Sequence, residues 1–275
     1  MKIIQTILNL VLLAGAILLL LFTVLSGSTT SSPINKFYWL DADTSNIPGA
    51  FAKSQWSFWG VCDANNLNDC RMGPAYAISP VDNFGTTDNV PQPFVDNRDN
   101  YWYLSKAAFA FLIIAIAFSC FAFLIDIFGL CFTPIDKVVA ALVTMALIFV
   151  AGFVAFETAV VVMARDAFRD AGLYAHVPTK LMAIIWTAFV CILLVWFNTI
   201  GATITASFRK HMNRVNNVDN ANAEYYQPQA GAAPINDESS FTRAPGPETK
   251  EDTNSGGIRF FKIKRNQKAS DEESV

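Results

Sequence analysis

Long apolar runs alternate with polar stretches along this chain. Four runs reach the roughly 20 mostly apolar residues that a helix needs to cross a membrane: residues 3–25, 107–125, 138–163 and 181–206. In hydrocarbon each peptide group must bond within its own segment. All four runs are therefore expected as helices despite their many β-branched residues. Tyr101, Trp102 and Tyr103 precede the second run and suit the membrane–water boundary. The first run could instead be a cleaved signal sequence, with Lys2 ahead of it and Ser26-Gly27-Ser28 behind. Its apolar stretch is longer than a signal core, which favours a retained helix. The pattern divides the chain into a first span (1–26), a large loop (27–103), three spans with short connections (104–206) and a polar tail (207–275).

The loop has a pattern of its own. Lys36-Phe37-Tyr38-Trp39-Leu40 and Gln55-Trp56-Ser57-Phe58-Trp59 read as short aromatic strands bounded by Pro, Gly and Asn. Cys62 and Cys70 enclose a polar turn, either as a disulfide or as two free thiols. The stretch from Pro80 to Asp99 is rich in Asp, Asn and Pro and reads as irregular.

Composition agrees with a membrane protein: 53% of the 275 residues are hydrophobic and 16% are charged, and the mean hydropathy is +0.33. The net charge of −3 offers no footprint for nucleic acid. Basic residues beside the spans are almost evenly split between the two sides, so they do not orient the chain. The loop does: eight Asp face four Lys or Arg there, and the cysteine pair suits an oxidising compartment. Both termini are therefore expected in the cytoplasm.

Trp39, then Trp59-Gly60-Val61-Cys62, then Cys70 resemble the claudin-superfamily signature in the first outer loop of four-span proteins. Together with Cys70-Arg71-Met72-Gly73-Pro74, the pattern is similar to the fungal Sur-seven/PalI family of eisosome-associated tetraspan proteins. The resemblance covers residues 1–209. It implies a claudin-like, left-handed four-helix bundle with a small extracellular antiparallel β-sheet and a disordered cytosolic tail. It also implies residence in static, punctate plasma-membrane furrows, with roles in membrane, lipid and cell-wall organisation and in endocytosis or sporulation. Expected partners are membrane lipids, including sphingolipids or sterols, further copies of the chain, other proteins of the domain, and a cytosolic scaffold through the tail. Relatives acting in ambient-pH signalling make a sensor subunit the alternative, and a claudin-like pore or transporter the third reading. Claudins carry Gly-Leu before the motif tryptophan; Ser57-Phe58 stands there in this chain, which argues against a junction-forming role.

Within the spans, helices in lipid associate through small residues. Ala151, Ala155 and Ala159, with Gly152 beside them, are candidates for packing, as are Gly15 and Gly201, either within the chain or between copies. Glu157 is the acid that stands out inside a span, and an intramembrane acid is a functional candidate by default. Asn198 and Asn9 are candidate polar partners. Residues Asp126–Lys137 read as a short inner loop, and Cys131 within it is available for acylation.

The tail from Ser207 to Val275 holds ten basic and ten acidic residues with few apolar groups, a composition that does not fold alone. Arg209, Lys210 and Arg214 follow the last span and should meet anionic headgroups. Ser270 precedes Asp271-Glu272-Glu273, a context suited to phosphorylation. No phosphate-binding glycine loop, metal-ligand spacing or nucleophile elbow occurs. The chain is read as a non-enzyme without cofactor or metal.

Overall fold

In the computed structural model, which describes residues 2–29, 34–129 and 135–225, the chain is a helical bundle capped at one end by a small sheet. Helix α1 spans Lys2–Leu25. The loop after it carries β1 (Leu40–Asp43), β2 (Lys53–Ser57), β3 (Gly60–Asp63) and β4 (Cys70–Met72), then two short helices, α2 (Pro80–Phe84) and α3 (Gln92–Asp96). Helices α4 (Arg98–Gly129) and α5 (Asp136–Asp170) follow. A two-residue strand β5 (Ala175–His176) precedes α6 (Thr179–Tyr225). Four helices, α1, α4, α5 and α6, are long and apolar enough to cross a membrane. The chain is a multi-pass membrane protein.

The buried positions explain why the four helices form one bundle. On α4 they are Tyr101, Ser105, Ala108, Leu112, Ala115, Ser119, Ala122, Asp126 and Gly129. These steps alternate strictly between four and three residues. On α5 the same alternation runs through Val139, Val143, Ala146, Val150, Phe153, Glu157, Val160, Ala164 and Ala167. It recurs at Asn9, Leu13, Ala16, Leu20 and Thr23 of α1 and at Leu181, Ile185, Ala188, Ile192, Val195 and Thr199 of α6. A 3.5-residue period keeps one stripe facing its neighbours only if the helices supercoil to the left.

The sheet has the order β4-β3-β2-β1-β5, all antiparallel. Its inward residues Trp39, Leu40, Trp56, Phe58 and Val61 share one core with Leu20 of α1, Leu112 of α4, Phe153 and Phe168 of α5 and Ile185 of α6. A smaller core of Leu13, Ala122, Val139, Val143 and Val195 fills the other end.

Four expectations are corrected. The predicted first strand does not start at Lys36; Ile34–Lys36 is a 3-10 turn and pairing begins at Leu40↔Trp56. Trp39 still donates its N–H to the Trp56 carbonyl at 2.8 Å, but β2 ends at Ser57 and turns, so the residues before Trp39 lie past its end. The second predicted strand likewise stops at Ser57, and Phe58-Trp59 form the two-residue hairpin turn closed by Ser57↔Gly60. The stretch from Pro80 is not irregular: α2 and α3 form there and bury Pro80 and Phe94. Phe94 lies 4.6 Å from the Tyr101 ring and 5.0 Å from Phe168, centroid to centroid, so this stretch does have an apolar anchor. Finally, the fourth span does not give way to irregular tail at Ser207; α6 continues to Tyr225. Extending a formed helix fixes one residue per added hydrogen bond, which even a polar sequence sustains.

Candidate functional site

The tryptophan–cysteine signature folds into a hinge between sheet and bundle. Ser57 and Gly60 close the β2–β3 turn, with Ser57 Oγ donating to the Gly60 carbonyl at 3.2 Å and accepting from Trp59 N–H at 3.3 Å. This turn points its two aromatics at the helices. Phe58 sits 4.9 Å from the Trp39 ring, 5.5 Å from Phe109 and 6.3 Å from Phe153. The Trp59 ring meets Phe109 edge-on at 5.9 Å, and its indole N–H donates to the Val24 carbonyl at 2.6 Å. Val24 lies in the last turn of α1, where carbonyls lack helical partners. One motif tryptophan thus caps the first span. Trp39 is buried under the sheet, and its indole nitrogen has no partner among the described residues.

Gly60 is required by approach distance. A Cβ there would collide with the Arg71 carbonyl on the neighbouring strand. Cys62 and Cys70 face each other across β3 and β4 and form a disulfide. Arg71, next to Cys70 on β4 and exposed, donates to the carbonyls of Asn83 at 2.8 Å and Gly49 at 2.6 Å and covers the Phe84 ring. It ties β4 to α2.

Two ion pairs brace this end of the molecule, one within the sheet and one between α2 and α4. Lys53 pairs with the buried Asp41, and its ammonium lies 4.6 Å over the Tyr174 ring. Burial opposes the charge on Lys53, but its bond to Asp41 outweighs this and holds its pKa above that of an ordinary lysine. Asp82 pairs with Arg98 and accepts a hydrogen bond from Ser79. Burial opposes the charge on Asp82, yet these partners hold its carboxyl below the ordinary range.

The intramembrane polar residues form two separate groups. Glu157 is 1% exposed and its Oε2 has no hydrogen-bond partner among the described residues. It does not meet the asparagines. Asn198 instead donates to Asn9 Oδ1 at 2.7 Å, and Asn9 donates to Thr199 Oγ1 at 3.3 Å, which ties α1 to α6. Sequence reasoning missed Asp126, which it assigned to the inner loop; the residue is buried one turn inside the end of α4. Its position between Leu124-Ile125 and Ile127-Phe128 was the available signal. It also missed Trp56, which is buried and donates to Asn83 Oδ1 at 2.7 Å.

The small-residue stripe is corrected as an intramolecular seam. Ala155 and Ala159 are exposed and Ala151 half-buried. Ala151 and Ala155 each follow a seam residue, Val150 and Val154, by one position, or about 100° around the helix. Gly15 and Gly201 are exposed, and a Cβ on either would meet nothing within 4 Å. Gly152 does pack inward: a Cβ there would fall 2.5 Å from the Phe111 ring of α4. Arg209, Lys210 and Arg214 are exposed on the extension of α6. Cys131 and Ser270 lie outside the described residues.

The sequence model of the SUR7/PalI family matches residues 5–198. The chain is 56% identical over 276 residues to Protein SUR7 of Candida albicans, with 100% of each chain covered. It is 30% identical to Protein SUR7 of Saccharomyces cerevisiae, covering 97% of this chain and 96% of that one. A third similar protein, from the same yeast, is the "Uncharacterized plasma membrane protein YNL194C", 27% identical over 94% of this chain and 87% of its own length.

Proposed function

The chain belongs to the SUR7/PalI family, and from that premise we propose that it is a non-enzymatic organiser of a static plasma-membrane domain of the eisosome type. The supporting observation is the placement of its small residues. Gly15, Ala155, Ala159 and Gly201 are exposed on helices whose inward seams are filled by other side chains. Small side chains let helices approach closely in lipid. Further copies of the chain, or other proteins of the domain, are the partners such faces suit, together with surrounding sphingolipids or sterols. The sheet shares its core with all four spans, so a contact made by the helices and one made by the sheet act on a single body. The name of the YNL194C relative supports the plasma-membrane location. With both termini cytoplasmic, Arg209, Lys210 and Arg214 meet anionic headgroups below the bundle. Live imaging of the tagged chain tests the reading: persistent patches are expected, and an even plasma-membrane signal would overturn it.

Glu157 favours a second reading, a sensor subunit in ambient-pH signalling. A buried carboxyl without a partner is costly to keep for packing alone. On this reading Glu157→Gln abolishes a pH response and leaves patches intact. The organiser reading expects Ala155→Leu with Ala159→Leu to disperse the patches and Glu157→Gln to leave them unchanged.

A further inference from the structure

At the end of the bundle that carries the chain's N-terminus, α1, α4, α5 and α6 leave a small polar cavity, partly open to the surface, of about 30 Å³. A space of that size admits one water molecule or a group of similar volume. Asp126 enters it from the last turn of α4 and Asp136 from the first turn of α5. Both carboxyls lie beside Gly129: a Cβ built there would be in ordinary contact with each, 3.5 Å from Asp126 Oδ1 and 4.0 Å from Asp136 Oδ1. The bonded set of Asn9, Asn198 and Thr199 also lines it, with Gln5, Thr6 and Ala202 beside them.

Asp126 is 6% exposed, and its Oδ2 has no hydrogen-bond partner among the described residues. Burying a carboxylate without a partner costs free energy. Its position adds to the cost, because the C-terminal end of a helix already carries negative partial charge. Lys137, next to Asp136 in sequence, is exposed, and no ion pair joins it to Asp126 among the described residues. Among the described residues, then, no cation meets Asp126, and the cavity leaves room at its carboxylate for a small cationic donor.

We propose that this cavity binds the primary ammonium of an aminophospholipid headgroup. An ammonium carries three N–H donors, a positive charge and no acceptor. That matches the unpartnered oxygen of the buried Asp126 carboxylate. The volume takes an –NH3+ group and is too small for a trimethylammonium, which also has no N–H to donate. The cavity sits one turn inside the ends of α4 and α5, at the level where headgroups meet the hydrocarbon. A free divalent ion is the poorer fit, because calcium takes six to eight oxygen ligands and the cavity offers two carboxylates in a small space.

Native mass spectrometry of the full chain tests this, using nanodiscs with equal phosphatidylethanolamine and phosphatidylcholine of matched acyl chains. The unmodified chain should retain phosphatidylethanolamine over phosphatidylcholine by about tenfold, the scale of one hydrogen-bonded charge pair. Asp126→Asn should abolish that preference. Ala202→Leu, which fills the cavity and leaves the carboxylates in place, should abolish it as well, and it decides the matter if Asp126→Asn does not fold. Glu157→Gln, in the other polar group, should keep it. Equal retention of the two lipids, or a preference that survives both cavity substitutions, would overturn the proposal. Melting in lipid-free detergent with magnesium or potassium chloride separates the free-ion source. No shift is expected, and a stabilisation that Asp126→Asn removes would assign the cavity to a free cation and overturn the lipid proposal.

Discussion

Gly60 and Glu157 are both fixed by their surroundings, one by space and the other by charge. Gly60 has the Arg71 carbonyl where a side chain would begin. Backbone cannot move aside as a flexible side chain can, so Gly60→Ala should destabilise by about 1–3 kcal/mol, the range for overpacking. Thermal unfolding in detergent should show a lower midpoint; an unchanged one would mean that β3 and β4 are not so tightly apposed. Glu157 is the opposite case. Its Oε2 is buried and unpartnered, so Glu157→Met, of similar volume, should raise the midpoint by removing an unsatisfied polar group worth about 1–3 kcal/mol. A fall would show that the carboxyl has a stabilising partner. Residues of this kind were unevenly legible in the sequence. Trp39, Trp59, Cys62 and Cys70 stand in a recognisable order, and Glu157 interrupts a long apolar run. Asp126 escaped because it lies near a run's end, where hydropathy alone cannot separate the last helical turn from a loop. Trp56 escaped because burial beneath a sheet leaves no trace in spacing.

At the scale of elements, the four spans were read correctly as helices, but the face each buries was not. The alternating four- and three-residue steps on α4 mix Ala, Ser, Leu, Tyr and Asp, so no single residue type marks the seam. The more visible Ala151, Ala155, Ala159 repeat has a spacing of four, which drifts about 40° per step away from any fixed neighbour. The disulfide was legible from the loop, and its contribution follows from loop closure. Cys62→Ser should cost about 2–3 kcal/mol, and Cys62→Ser with Cys70→Ser should cost no more than the single change. Unfolding midpoints of the three proteins, with and without reductant, give the comparison, and a double variant clearly worse than the single would contradict it. The Asp82–Arg98 pair joins α2 to α4, and its pH dependence has a definite sign. Asp82 is held below its ordinary pKa, so its contribution is present above the ordinary carboxylate range, near pH 4. It is lost as pH falls through the lower folded value. Arg98 is largely exposed, so the effect should stay under about 1 kcal/mol. Hydrogen exchange around α2, corrected for the intrinsic pH dependence of amide exchange, should lose protection below pH 4 in the unmodified chain, with no such pH-dependent loss in Asp82→Asn; identical corrected profiles would contradict the assignment.

On the scale of the whole molecule, the sheet and the four spans are one packed body. Trp39, Phe58 and Val61 of the sheet share a core with Leu20, Leu112, Phe153 and Ile185 of the spans, and Trp59 holds the end of α1. The faces left free are lateral and carry small residues. The large loop after α1, first visible only as two aromatic segments and a cysteine pair, is thus the clamp that fixes how those faces are presented. This arrangement suits a protein that works by packing beside others in a membrane. The most direct test is fluorescence recovery after photobleaching of the tagged full chain in living cells. Bleached patches should stay dark over minutes, and Ala155→Leu with Ala159→Leu should make the signal diffuse and recover. Rapid, uniform recovery of the unmodified chain, without stable patches, would contradict the account.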